Sequence, residues 1–112
     1  MKEIKAIIQP FMADHVISAL RALQGVPGVT VSEVKGFGRG RALGDTEADE
    51  NAIFGVKRIK IEIVVPDELV EQVLGVITER AHTGKPGDGK IFIHTVDEVV
   101  RIRTRERGQT AL

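Results

Sequence analysis

The sequence contains no cysteine, tyrosine or tryptophan, and only four phenylalanines among its 112 residues. Without cysteine the chain can form no disulfide, no thiolate metal site and no thiol nucleophile. It has no apolar run of membrane-spanning length, and residues 1–4 lack the features of a signal peptide. We therefore expect a cytoplasmic protein with no direct membrane insertion, which would reach a membrane only through a protein partner.

An excess of charge of either sign is also missing. Sixteen basic residues balance sixteen acidic residues, and the pI is about 6.8. A neutral chain lacks the basic surface typical of nucleic-acid binding, so we expect no nucleic-acid partner. With 42% hydrophobic and 29% charged residues, the composition is that of a globular protein, and the length predicts a single domain over residues 1–112.

Hydrophobic periodicity predicts strands over residues 2–8, 29–35, 59–65, 90–96 and 99–104. It also predicts a helix with Asp14 as its N-cap that ends at Gly25, and a second helix that begins at Pro66 and ends near Gly84. Each half of the chain thus runs strand, proline, helix, strand. This repetition predicts an α+β, ferredoxin-like βαββαβ sandwich, with an antiparallel sheet and both helices on one face. The uncovered face of the sheet suggests an oligomer.

The stretch from residue 36 to residue 56 is much longer than a hairpin requires, and loops of this length are usually functional or disordered. A calcium loop of EF-hand type is excluded, because counting from Asp45 places Glu50 and Val56 where glycine and glutamate are required. Two interpretations remain open: a solvated excursion, or a docking loop that becomes ordered when a ligand or partner binds.

Closely spaced glycines and lysines occupy residues 83–90, which we call the glycine loop. Such glycines let backbone N–H groups converge on an anion, and a flanking lysine adds charge. The P-loop pattern is not satisfied, because Ile91 stands where Ser or Thr is required and a strand follows. A simple tight turn is the alternative. Arg101 and Arg103, two apart on a predicted strand, would aim both guanidinium groups one way, towards a phosphate, unless they only form an exposed basic strand end.

Five segments of the sequence resemble the PII signal-transduction family: residues 7–11, 30–39, 60–67, 83–92 and 100–108. The resemblance implies a homotrimer that binds ATP or ADP in the clefts between subunits, with magnesium as an optional companion of ATP. It also implies a T-loop at about residues 37–56, a phosphate loop at 83–90 and a C-terminal strand and tail at 99–112. Through the T-loop such a protein would regulate a membrane transporter or a metabolic enzyme.

The resemblance also assigns residues to the nucleotide. The base and ribose would contact Ile7, Glu62 and Val64. The phosphates would contact Gly87, Asp88, Gly89 and Lys90, helped by Arg101 and Arg103. The neighbouring subunit would add Gly28, Val29, Thr30, Gly36, Phe37, Gly38 and Arg39. Partner contacts in the loop would come from Arg41, Asp45, Thr46, Glu47, Asp49, Glu50, Ile53 and Phe54.

The sequence departs from the family pattern at three points. Gly40 replaces a glutamine that usually helps to bind magnesium and 2-oxoglutarate, and Arg58 replaces the lysine that usually contacts 2-oxoglutarate. Both changes argue against 2-oxoglutarate sensing in the usual manner. The absence of tyrosine excludes tyrosine modification of the loop, whose only hydroxyl side chain is that of Thr46.

Two other functions compete with a nucleotide-sensing regulator. One is a trimeric metal-tolerance or structural protein similar to the CutA proteins, and the other is an enzyme that uses ATP. We assign no catalytic residue, because no nucleophile–base pair stands out. We assign no metal ligand, because His15, His82 and His94 have no partner at ligand spacing.

Overall fold

The computed structural model describes residues 1–38 and 55–112. Four strands form one sheet in the order β2-β3-β1-β4, and all three strand pairs are antiparallel. The elements are β1 Lys2–Ile8, α1 Ala13–Ala22, β2 Thr30–Gly36, β3 Val56–Val65, α2 Val70–Ala81 and β4 Gly89–Thr95. This element order and sheet topology confirm the predicted ferredoxin-like fold.

The core lies on one face of the sheet. Alternate residues of β1 and β3 are buried there, and both helices pack their apolar stripes against them. The strands contribute Ile4, Ala6, Ile8, Ile59, Ile61, Ile63 and Val65, and the helices contribute Val16, Leu20, Val73 and Ile77. The other face, which we call the open face, carries the intervening residues of each strand, many of them charged, and neither helix covers it.

A short 3-10 turn precedes each helix, and the first of these turns shows that the predicted N-cap of α1 is wrong. A short 3-10 turn at Pro10–Met12 precedes α1, and the N–H of Met12 donates to the carbonyl of Gln9 at 3.1 Å. The helix therefore begins before Asp14, so Asp14 is not its N-cap and instead lies in its first turn. Pro66 introduces a matching turn, Asp67–Leu69, ahead of α2. The repeated proline thus produces the same helix start in both halves.

The predicted strand over residues 99–104 is wrong. Its only pairing within the described residues is a single antiparallel bridge between Val100 and Arg107. Between them the chain reverses: the N–H of Arg105 donates to the carbonyl of Arg101 at 2.7 Å, and Arg105 adopts a φ of 64°. The side chains alternate as in a strand, but none of the four described strands pairs with this segment.

Neither described helix is long and apolar enough to cross a membrane.

Candidate functional site

A cleft of about 560 Å³ opens at one end of the sheet, on the open face, and we call it the first cleft. Three ends of strands meet there, because the register pairs Ile8 with Gly89 and with Ile59, and Gly36 with Val56. The end of β1, the start of β4 and the end of β2 are thus neighbours. The lining residues are Ile7, Gly36, Phe37, Gly38, Arg58, Lys85, Gly87, Asp88, Gly89, Lys90 and Phe92.

The glycine loop forms one wall of this cleft and is closed internally by Asp88. Its carboxylate accepts hydrogen bonds from the N–H of Thr83 at 2.8 Å, from the N–H of Gly84 at 3.1 Å, and from the Thr83 hydroxyl. The hydroxyl and N–H of Thr83, in that order, lower the pKa of Asp88 below the ordinary aspartate value of 3.8. Asp88 therefore acts as a charged turn-closing residue.

Gly89 brings the end of the loop against β1. Its φ is 104°, and a Cβ atom at this position would lie 1.8 Å from the carbonyl oxygen of Ile7. No other residue type fits this combination of left-handed backbone and close approach. The glycine therefore seats the loop beside Ile7, where the cleft begins.

A side-chain hydrogen bond also links the glycine loop to the end of β1. The amide Nε2 of Gln9 donates to the carbonyl of Gly87 at 2.7 Å. Gln9 directly follows β1, so this bond links the end of β1 to the middle of the glycine loop.

Positive charge concentrates in the first cleft. Arg58, Lys85 and Lys90 line it, and the one carboxylate that residues 1–38 and 55–112 contribute to it, that of Asp88, is engaged within the loop. Neither lysine forms an ion pair with any residue in the described ranges. The Arg58 guanidinium donates to the carbonyl of Lys57 at 2.9 Å and lies beside Gly87. In a chain with no net charge, this cluster is a local feature that favours an anionic ligand.

Apolar surface borders the cationic cluster. Phe37 is 67% exposed and Phe92 is 47% exposed, and both line the cleft together with Ile7. Aromatic faces of this kind stack on planar rings, including nucleobases. The first cleft can therefore accommodate a ligand with a phosphate end and a planar apolar end.

A second cleft, of about 410 Å³, lies towards the opposite end of the open face. It contains four residues that the resemblance assigned to the nucleotide, namely Gly28, Thr30, Glu62 and Val64. Thr30 and Gly36 lie at the two ends of β2, six residue steps or about 20 Å apart along the strand. The two clefts of one chain are thus too far apart to enclose one phosphate group. The remaining lining residues are Glu3, Pro27, Ile63, Val99, Ala111 and Leu112.

The structure corrects the expected grouping of these residues. Gly36, Phe37 and Gly38 were expected from a neighbouring subunit, but they share the first cleft with Gly87 and Lys90 of the same chain. The reason is that the end of β2 and the start of β4 lie at the same end of the sheet.

Three more residues assigned to the nucleotide lie outside the first cleft. Glu62 and Val64 were grouped with Ile7 but lie in the second cleft, nearer the other end of the strands. Val29 packs against the core and lines neither cleft.

Arg101 and Arg103 do not form the predicted pair on one strand face. The Arg101 guanidinium donates to Glu106 Oε1 at 3.0 Å and to the carbonyl of Thr110 at 3.3 Å, so it holds the C-terminal turn together. Arg103 lies in that turn, next to Ile102, which is 95% exposed. Neither arginine lines the first cleft of its own chain.

The loop residues assigned to a partner lie outside the described residues, as does Arg39. These are Arg41, Asp45, Thr46, Glu47, Asp49, Glu50, Ile53 and Phe54. Across residues 1–38 and 55–112, no group of three histidine, aspartate or glutamate side chains could hold a metal ion.

Four residues of the first cleft and its support were not assigned to the nucleotide from the sequence: Gln9, Arg58, Lys85 and Phe92. Of these, Arg58 was considered only at the position that contacts 2-oxoglutarate in the family. Two of them carried a usable signal. Lys85 lies inside the glycine loop, and Phe92 follows Lys90 by two residues, so both project from the same face of β4. Gln9 and Arg58 join the site only through the tertiary fold.

Comparison with known proteins places these features in a family. The family model described as Nitrogen regulatory protein P-II matches residues 1–106. The Nitrogen regulatory protein P-II of Azospirillum brasilense is 50% identical, and Nitrogen regulatory protein P-II 1 of Escherichia coli (strain K12) is 49% identical. The corresponding protein of Haemophilus influenzae is 46% identical. Each alignment covers 100% of both chains.

Proposed function

Because the chain belongs to the nitrogen regulatory protein P-II family of signalling regulators, we propose that it senses adenine nucleotides and passes their state to a partner protein. ATP or ADP binds in the first cleft, with magnesium as an optional companion of ATP. The partner is a membrane transporter or a metabolic enzyme that docks on the proposed T-loop at about residues 37–56. The protein is cytoplasmic and meets the membrane only through such a transporter.

One observation carries the nucleotide assignment: Lys85 and Lys90 of the glycine loop line the first cleft beside Arg58, and the carboxylate of that loop is already engaged. Lys85 and Lys90 form no ion pair within residues 1–38 and 55–112, and two such lysines beside the Arg58 guanidinium suit a polyphosphate better than a neutral or cationic ligand. Phe37 and Phe92 extend the cleft with exposed aromatic surface, which suits the planar base of a nucleotide.

A second copy of the chain completes the site. Proteins of this family act as trimers. In a closed ring of identical subunits, one surface of each copy meets a different surface of the next. The first and second clefts lie towards opposite ends of the same open face, as this arrangement requires. Glu62 and Val64 of the neighbouring copy then approach the base, and Arg103 of that copy approaches the phosphates.

The output of the site is the state of the long loop. Gly36, Phe37 and Gly38 line the first cleft at the point where the proposed T-loop, about residues 37–56, begins. A nucleotide that contacts residues 36–38 biases the populations of the loop conformations, and the partner binds one of them. We propose no 2-oxoglutarate sensing in the usual manner, because Gly40 and Arg58 replace the usual glutamine and lysine.

Calorimetry with ATP, ADP and AMP, each with and without magnesium and 2-oxoglutarate, tests this function. Lys90→Ala removes a cation from the first cleft and weakens ATP binding, about tenfold for a charge-assisted contact. Arg80→Ala is the matched control, because it removes an exposed cation from α2 that lines neither cleft. Equal weakening by both variants would point to a general charge effect and against a site in the first cleft.

A further inference from the structure

We propose that Gln9 is a positioning residue of the first cleft, which holds the glycine loop ready for the phosphates without contacting them. The inference rests on the proposed nucleotide function. It concerns a residue that contacts the loop from outside and does not line the cleft itself.

Gln9 is itself held firmly at its main chain. It directly follows β1, and its carbonyl accepts the N–H of Met12 at 3.1 Å. Its side-chain amide therefore extends from a fixed point and donates to the carbonyl of Gly87 at 2.7 Å. A short bond from a rigid anchor fixes the position of the group it reaches.

The hydrogen bonds that Asp88 and Thr83 make set the shape of the loop, whereas Gly89 fixes only its end against β1. Asp88 bonds to Thr83 and Gly84, and the N–H of Lys85 donates to the Thr83 hydroxyl at 3.1 Å. All of these partners lie within the loop. The Gln9 amide ties residues 83–88 to the end of β1, across 78 positions of sequence.

The carbonyl that Gln9 engages is one that an anion would avoid. Gly87 adopts a φ of 96°, and a Cβ atom there would lie 3.0 Å from Gln9 Nε2 and 3.7 Å from Arg58 Nη2. The oxygen of Gly87 is thus satisfied by Gln9 at a position close to the cation Arg58. Without Gln9 that exposed oxygen would bond to water, and the loop that carries Lys85 would lose its side-chain bond to the end of β1.

Gln9→Met tests the role, because methionine keeps the length of the side chain and removes the donor. We expect ATP to bind about fivefold more weakly, the effect of one hydrogen bond. The salt dependence of binding stays unchanged, because Gln9 carries no charge. Lys90→Ala, in contrast, reduces both the affinity and its salt dependence. Gln72→Met, at an exposed glutamine of α2, is the matched control and leaves both unchanged.

A second readout needs no nucleotide. Amide hydrogen exchange of residues 83–89 in the unliganded protein should be faster in Gln9→Met than in the parent protein. Gln9→Lys restores a donor, so its exchange rate should return to that of the parent protein. The side chain of Gln9→Asn is one methylene too short to reach Gly87, so this variant should also exchange faster. It serves as the test variant if Gln9→Met does not fold. Equal loop exchange in the parent and Gln9→Met would overturn the role of Gln9, whether or not nucleotide binds. Absence of nucleotide binding by the parent protein would overturn the proposed function alone.

Discussion

Asp88 and Thr83 are joined by two hydrogen bonds, one from the Thr83 N–H at 2.8 Å and one from its hydroxyl, and together they close the glycine loop. Both bonds favour the charged carboxylate, which is why the pKa of Asp88 lies below 3.8 in the folded protein. The residue at the centre of the Gly-Asp-Gly motif thus shapes the wall of the cleft.

The first prediction concerns pH. Because the pKa of Asp88 is lower in the folded than in the unfolded protein, its contribution is fully present above the unfolded value and is lost as the pH falls through the folded value. An NMR titration of the Thr83 amide should therefore show no change near pH 5 and a midpoint below pH 3.8. A midpoint at or above 3.8 would mean that these bonds do not persist in solution.

The second prediction compares two glycine-to-alanine substitutions. Gly89→Ala should lower the free energy of unfolding by about 2–4 kcal/mol, because it combines a strained φ with a clash against the Ile7 carbonyl. Gly75→Ala should raise it by about 1 kcal/mol, because Gly75 lies within α2 and no neighbouring atom is within 4 Å of the added Cβ. Urea denaturation measures both. Similar changes in the free energy of unfolding for the two variants would show that Gly89 does not pack closely against the Ile7 carbonyl.

The third prediction separates the two arginines. Arg101→Ala should destabilise the C-terminal turn, because its guanidinium bonds to Glu106 and to the carbonyl of Thr110. Arg103→Ala should leave the free energy of unfolding within about 0.5 kcal/mol of the parent value. It should still weaken ATP binding if the turn reaches the first cleft of a neighbouring copy. Thermal denaturation and calorimetry on both variants distinguish these roles, and unaltered ATP binding by Arg103→Ala would remove Arg103 from the site.

Hydrophobic periodicity, together with the prolines at the helix starts, predicts most of the fold. Alternation in Ile59, Ile61 and Ile63 identifies the buried face of β3, and Pro10 and Pro66 identify where the helices start. The same alternation fails at Arg101 and Arg103, because a strand also requires a partner strand, and pairing is decided by distant parts of the chain.

The candidate site is predictable only in part, for a similar reason. The glycine loop is local in sequence and therefore visible in it. The bond from Gln9 to Gly87 and the placement of Arg58 beside that glycine arise only when β1, β3 and β4 assemble. The residues assigned to the nucleotide are divided between two clefts because of the strand register. That register is established only when the strands pair.

The fourth prediction tests completion of the site by a second copy. Lys90→Ala damages the first cleft and Glu62→Ala damages the second, so each variant alone should bind ATP weakly. Subunits of the two variants, unfolded together and refolded as mixed assemblies, should regain some sites in which both clefts are intact. ATP binding by the mixture that equals the average of the two separate variants would contradict a shared site.

The most direct test of the central claim is calorimetric titration of the parent protein and of Lys90→Ala with ATP. The nucleotide-sensing account predicts saturable binding to the parent protein, about tenfold weaker binding to Lys90→Ala and unchanged binding to Arg80→Ala. Absence of ATP and ADP binding by the parent protein, with or without magnesium, would contradict it.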